Sequence, residues 1–280
     1  MEDLVECGLK SEEDVVRILD ERFQRQQYYV DAGDVLVTVN PWKSLKHAEK
    51  EVVDFLRCYK SKDKHHPLPP HPCSVAEKAV RNGSDGVIIP LGESGSGKSS
   101  NVQMILHYLA LRCHAQEQWS KDEILAINEV LDIFCNARTL ICSNSTRCLK
   151  VYEVFFDSKE HRVLGVNVKI NILEKMRVIS QIKGESSFHI FHRLLNGLNS
   201  EQLQKYLLDE DHRYVPSLPR EAFCESDNSL SQSLKCLERI GFNEKVGTCR
   251  SKLTLFILQS SISSKLFSLE IVLPVRVISY

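Results

Sequence analysis

Gly92-Glu93-Ser94-Gly95-Ser96-Gly97-Lys98-Ser99 is the stretch that decides the fold. It fits the pattern GxxxxGK[ST], with the apolar run Gly86 to Leu91 (GVIIPL) before it and Val102, Ile105, Leu106 and Leu109 at helical spacing after it. Strand, glycine loop and helix in that order form a phosphate cradle. Glycines let successive backbone N–H groups curl around phosphate oxygens without Cβ clashes. The following helix aims its positive end at the same anion. Lys98 is then expected to reach the β- and γ-phosphates, and the Ser99 hydroxyl to ligate Mg²⁺. A bare Gly/Ser turn is the bland alternative, and the flanking elements argue against it.

Outward from the loop, the apolar patterns interleave. Ser11 followed by Glu12, Glu13 and Asp14 predicts an N-cap, and Val15, Val16, Leu19 and Phe23 predict one apolar helical face. Asp34 to Val39 reads as a buried strand ending at Asn40-Pro41, and Glu49 to Tyr59 as a helix. His65 to Pro72 (HHPLPPHP) reads as an extended connection. GVIIPL reads as a short strand, although Pro90 removes a ladder donor. Ile124 to Phe134, Phe188 to Leu195 and Leu230 to Ile240 read as helices. Val151 to Phe156 and Arg162 to Ile170 read as a hairpin with its turn at Asp157 to His161. Interleaved strands and helices predict an α/β sheet. Val154-Phe155-Phe156-Asp157 leaves a generic P-loop ATPase or kinase open, with Asp157 holding the magnesium water. A turn residue closing the hairpin is the preferred reading of Asp157.

Composition bounds the rest. The chain has 280 residues, 42% hydrophobic and 26% charged, and 36 Lys plus Arg balance 37 Asp plus Glu. Such a chain buries a full core and presents no electrostatic footprint for nucleic acid or anionic membrane. Its ten cysteines include no CxxC pair, the acidic start lacks a secretory h-region, and Leu253 to Ser264 is too short to span a bilayer. These features predict a cytoplasmic protein with reduced thiols. Beyond Val246 the pattern changes: residues 247–280 are rich in Ser, Leu, Ile and Val, without caps or clear periodicity.

Seven further segments, in order, resemble the motor domain of myosins. GESGSGKS is similar to the myosin loop GESGAGKT. Val37-Thr38-Val39-Asn40-Pro41-Trp42-Lys43 resembles the purine-binding VNPYK, and Leu68-Pro69-Pro70-His71 the PPH before the loop. Phe134-Cys135-Asn136-Ala137-Arg138-Thr139 is similar to FGNAKT, and Asn144-Ser145-Thr146-Arg147 to the NSSR of switch I. Ile172 to Val178 (ILEKMRV) resembles LLEKSRV, Phe188 to Gly197 resembles FHIFYQLLAG, and Ile240-Gly241-Phe242 matches IGF. The resemblance implies a P-loop NTPase fold of myosin/kinesin type, a mixed twisted sheet flanked by helices. It spans residues 1–246, with 247–280 a divergent tail. It implies ATP and Mg²⁺ as ligands and actin filaments as partner. Asn40, Pro41, Trp42 and Lys43 would line the adenine end, and Gly92 to Ser99 the phosphates. Asn144, Ser145 and Thr146 would face the γ-phosphate, with Ser99 and Thr146 toward the metal. Lys98, Ser145 and Arg147 would carry catalysis. Trp42 as a core aromatic and Arg147 as a solvated cation are the plain alternatives, whereas ILEKMRV and FHIFHRLL read as buried sheet and core helix without chemistry.

The departures from the family pattern set further expectations. Pro90-Leu91 lengthens the join to the loop by one residue, which is expected to displace the cradle. Ala48 stands where an adenine-contacting tyrosine is usual, Cys142-Ser143 where Asn-Asp opens switch I, and Cys148-Leu149 where Phe-Gly follows it. Nothing resembles switch II (DIxGFE), so Arg147 lacks its family glutamate. The chain reads as the first third of a head plus a foreign tail. It is expected to bind Mg-ATP weakly without motor-rate hydrolysis. An inert truncated or splice product, acting only through binding if at all, is the competing reading. The Leu253 to Leu258 segment is expected to cap an otherwise unpaired sheet edge.

Overall fold

A computed structural model describes residues 3–8, 11–42, 45–59, 67–82, 85–112, 121–157, 163–205, 230–240 and 270–271. The chain divides into two compact units, residues 1–121 with 156–164, and residues 122–155 with 165–280.

In the first unit, helix α1 (Glu12–Gln24) starts where expected: Ser11 is extended and its hydroxyl accepts from the Asp14 N–H at 3.3 Å. That bond satisfies one of the four orphan donors of the first turn. Strands β1 (Tyr29–Ala32) and β2 (Val35–Thr38) form an antiparallel hairpin, Tyr29 opposite Thr38 and Ala32 opposite Val35. Gly33 turns it with φ +63°, a left-handed conformation that glycine adopts without strain. β2 is not the buried strand expected, because Val35 is exposed and its neighbours are half-buried. Among the described residues it has one partner strand, so one edge of its ladder goes unpaired.

Helices α2 (Leu45–Tyr59), α3 (Pro72–Asn82) and α4 (Lys98–Arg112) make the core of this unit, α4 packing on both others. Val52, Phe55, Cys73, Ala76, Val80, Met104 and Tyr108 are buried between them. Glu77 on α3 is the polar centre. It accepts from Tyr108 Oη at 2.6 Å, Arg81 Nε at 2.9 Å and Arg112 Nε at 3.0 Å.

The stretch Gly86 to Leu91 is not a strand. Val87 and Leu91 are 84% and 86% exposed, and no described strand pairs with it. A short apolar run becomes a strand only beside a partner edge, and Pro90 further weakens its own ladder.

In the second unit, α5 (Lys121–Cys135) runs directly into β3 (Asn136–Ala137), which pairs antiparallel with β4 (Ser145–Thr146). Strands β5 (Leu149–Phe156) and β6 (Val163–Asn171) lie side by side in a sheet whose third strand is β7 (Glu270–Ile271). Asp157 directly follows β5, the hairpin position preferred for it. Helices α6 (His189–Gly197), α7 (Ser200–Lys205) and α8 (Leu230–Arg239) complete the unit. Ile133, Phe188, Ile190, Phe191, Leu194 and Leu230 form its apolar cluster, so FHIFHRLL is the core helix expected. A Cβ on Gly197 would meet the Leu230 Cβ at 2.3 Å, so only glycine permits α6 and α8 to approach this closely.

ILEKMRV corrects its expectation. Lys175–Val178 is a 3₁₀ turn, Ile172 and Met176 are exposed, and the buried side chain is Arg177. The described strands make three small sheets rather than one continuous twisted sheet. Residues 253–258 lie outside the described residues, and the tail meets the sheet further on, with Ile271 opposite Val168 and Glu270 opposite Lys169. Deleting residues 247–280 removes that partner from β6. It is expected to lower both solubility and melting temperature, and an unchanged melt in calorimetry would count against a capping role.

Candidate functional site

The glycine loop has the backbone a phosphate cradle needs. Gly92, Gly95 and Gly97 all have positive φ, +142°, +81° and +94°, conformations in which a Cβ is strained. Space is as tight as torsion: a Cβ on Gly92 would lie 2.7 Å from Ser96 Oγ. The loop closes on itself, the Ser96 N–H donating to the Glu93 carbonyl at 3.2 Å, and then enters α4, where Asn101 N–H donates to Gly97 O. Ser96 Oγ is buried inside this curl with no hydrogen-bond partner. The Lys98 ammonium folds back on the same loop, donating to the Gly92 carbonyl at 2.7 Å and the Glu93 carbonyl at 2.5 Å. A cation held by carbonyls and an orphaned hydroxyl in a ring of free-φ glycines are a donor set suited to an anion. A phosphate group therefore fits these residues.

A second segment docks on the loop. Asn40 Nδ2 donates to the Gly95 carbonyl at 2.8 Å, its Oδ1 accepts from the Trp42 N–H at 3.0 Å, and its side chain stands 3.4 Å from where a Gly97 Cβ would be. One residue type does this because an amide both donates and accepts. Asn101 adds a tie the sequence did not single out, its Nδ2 donating to Thr38 Oγ1 at 3.0 Å. The Val37 to Pro41 segment and the phosphate loop thus come together, as the order of motifs implies. Trp42 is 73% exposed with φ +53°, so the core-aromatic alternative for it falls. Lys43 lies outside the described residues, and of Ala48 only the helical backbone is described.

The Asn144 to Arg147 segment belongs to the second unit. Its ladder pairs Asn136 with Thr146 and Ala137 with Ser145, and the Arg147 N–H donates to the Cys135 carbonyl at 2.8 Å. Asn144 Oδ1 accepts from Asn136 Nδ2 at 3.0 Å and faces His189 Nε2 at 3.1 Å. Burial, with Arg193 nearby, lowers the His189 pKa to about 4, so the ring is neutral and can donate through Nε2–H. Ser145 is buried, and its hydroxyl accepts from Arg147 Nη1 at 3.2 Å.

Arg147 is not a solvated cation. Its Nε donates to Glu174 Oε2 at 2.5 Å, and Glu174 in turn receives Arg177 at 3.0 and 3.2 Å. Arg177 Nη1 continues to Glu185 Oε2 at 2.9 Å and the Ser186 carbonyl at 3.1 Å. Burial would raise the Glu174 pKa, but the hydrogen bonds from Arg177 and Arg147 outweigh it and hold the carboxyl below its ordinary value. So Arg147 has an acidic partner after all, supplied from 27 residues downstream by ILEKMRV, the segment expected to carry no chemistry. The signal that could have located it is the single acid in an otherwise apolar and basic heptapeptide. Cys142, which replaces a switch I amide, is held in a turn: its carbonyl accepts from Thr139 N–H at 2.9 Å and Thr139 Oγ1 at 3.1 Å.

Among the described residues no group of three or more His, Cys, Asp or Glu is placed to hold a metal ion, and no helix is long and apolar enough to cross a membrane.

Comparison with known proteins accords with this geometry. The family model of the myosin head (motor domain) matches residues 1–259. Unconventional myosin-Ia of Bos taurus is 32% identical over 255 residues, 88% of this chain and 24% of that protein. Myosin IB heavy chain of Dictyostelium discoideum is 33% identical over 219 residues, 76% of this chain and 19% of that protein. Myosin-14 of Homo sapiens is 32% identical over 259 residues, 87% of this chain and 13% of that protein. The chain spans a quarter or less of the length of these three relatives.

Proposed function

This chain belongs to the myosin motor-domain family, and from that premise we propose that its glycine loop binds the triphosphate of Mg-ATP without supporting motor-rate hydrolysis. The observation that carries the reading is the loop itself: three positive-φ glycines, the buried unpartnered Ser96 hydroxyl and the Lys98 ammonium converge on one curl. Bound Mg-ATP would supply the γ-phosphoryl group and the metal charge that polarises it. Lys98 exchanges its carbonyl partners for β- and γ-phosphate oxygens, a stronger charge-assisted contact. Loop N–H groups and the N-terminus of α4 hold the remaining oxygens. Asn40 keeps the loop in shape by holding the Gly95 carbonyl, and Pro41 and Trp42 would continue toward the base. The protein donor this loop would offer Mg²⁺, Ser99, is a hydroxyl, so phosphate oxygens and water would supply most of its shell, as Mg²⁺ prefers.

Family membership also supports an actin-cytoskeletal setting in the cytoplasm, with the head pattern reaching to residue 259. Titration with a fluorescent ATP analogue tests the nucleotide reading. Lys98→Ala removes one charged hydrogen-bonding group, worth about 1.5–3 kcal/mol, so affinity should fall roughly 10- to 150-fold. Equal weak signals from wild type and variant would favour a chain that acts, if at all, only by binding other partners.

A further inference from the structure

Two amide side chains bridge the same pair of segments. Asn40 Nδ2 reaches from beyond β2 to the Gly95 carbonyl at 2.8 Å, and Asn101 Nδ2 reaches back from α4 to Thr38 Oγ1 at 3.0 Å. The two bonds join different things. Asn40 and Gly95 both lie in segments that connect elements. Thr38 ends β2 opposite Tyr29, and just beyond it the Val39 N–H donates to the Tyr28 carbonyl at 2.9 Å. Asn101 stands in the first turn of α4, its own N–H on the Gly97 carbonyl at 3.0 Å. The Asn101–Thr38 bond thus runs from one regular element to another, across 63 residues of sequence, with both backbones already fixed.

We propose that Asn101 is a positioning residue: its bond to Thr38 sets the spacing between the Asn40–Trp42 segment and the phosphate loop, so that a nucleoside triphosphate, which spans both, binds with its two ends in register.

This role rests on the Mg-ATP reading above and adds to it the residue that joins the two ends of the site. A ligand held at two places gains its second contact at full strength only where the spacing is set beforehand. Otherwise binding itself must order the segments, and that ordering is subtracted from affinity. Inorganic pyrophosphate offers phosphate oxygens and no base, so it engages the loop alone and is indifferent to the spacing. Cutting the Thr38 bond leaves Asn40 on the Gly95 carbonyl, so the curl keeps the tie that shapes it. Nucleotide and pyrophosphate affinities therefore separate when the Asn101–Thr38 bond is lost.

The full 280-residue chain, titrated in Mg²⁺ with a fluorescent ATP analogue and, by calorimetry, with pyrophosphate, gives the test. Thr38→Val, close in shape but without the hydroxyl, and Asn101→Ala should each weaken the analogue about three- to tenfold, the scale of one neutral hydrogen bond, and leave pyrophosphate within about twofold. The double variant should lose no more than either single one, because both remove the same bond. Thr38→Ser, which keeps a hydroxyl, should restore wild-type affinity for the analogue. Equal losses of both ligands would mark a merely structural role and overturn the proposal, as would additive losses in the double variant. If Lys98→Ala weakens the analogue while Thr38→Val and Asn101→Ala bind it as wild type does, the site stands and this role alone falls. Analogue binding indifferent to Lys98 would overturn both.

Discussion

Glu77→Ala should lower the unfolding free energy by about 3–5 kcal/mol, the order of cost for removing one member of a buried ion-paired cluster. Glu77 is 1% exposed, and its two oxygens take three hydrogen bonds from Tyr108, Arg81 and Arg112. Removing the carboxylate takes an acceptor from two part-buried guanidinium groups and from the buried Tyr108 phenol. Tyr108 shows the same dependence from the other side, its pKa raised by burial and by the Glu77 carboxylate. Glu77→Gln keeps the shape and an acceptor for Tyr108 but loses the charge, so it should fall between wild type and Ala. Urea denaturation separates these outcomes as shifts in midpoint at constant slope. A loss below about 1 kcal/mol for Ala would show that the α3–α4 contact does not rest on this residue. The pH dependence has a definite sign. Burial raises the Glu77 pKa, but the three donors outweigh it, and the folded value lies below the ordinary 4.5. A depressed carboxylate stabilises the fold above its unfolded pKa, and that stability is lost as pH falls through the folded value. Wild type should therefore lose stability on acidification below about 4.5 more steeply than Glu77→Ala.

What the sequence made legible was local. The Ser11 cap, the glycine loop running into α4 and the core face of α6 each depend on neighbours within a few residues, and each is in place. Gly86 to Leu91 failed because hydrophobicity marks a preference for burial, whereas a strand exists only when another edge receives its hydrogen bonds. Asn40 stood out as a candidate site residue from its motif. Its contact with Gly95 joins residues 55 apart, and no periodicity in either segment encodes that. Glu174 was hidden for the opposite reason: its segment was recognised, but its apolar flanks suggested a core strand. In the structure Ile172 and Met176 face outward, Leu173 and Val178 pack against the apolar cluster, and Glu174 closes on Arg147 and Arg177.

A single-turnover assay on the 280-residue chain should give Mg-ATP hydrolysis below about 0.1 s⁻¹, with or without actin filaments, well under the usual catalytic range of roughly 1–10³ s⁻¹. In the family pattern the switch I arginine pairs with a switch II glutamate to close the pocket for in-line attack. Here Arg147 is already taken: Glu174 accepts from Nε and Ser145 from Nη1. Glu174 is in turn fixed by Arg177, and Arg177 by Glu185 and the Ser186 carbonyl. Drawing Arg147 off this chain breaks a charge-assisted bond worth about 1.5–3 kcal/mol before any closing contact forms. Losing one transition-state donor costs about 10²–10³ in rate. Actin-stimulated turnover above about 0.1 s⁻¹ would sink this account. Glu174→Gln probes the cause: it weakens the hold on Arg147, so a gain in turnover would support the Arg147–Glu174 pair as part of the block, and unchanged slow turnover would count against it.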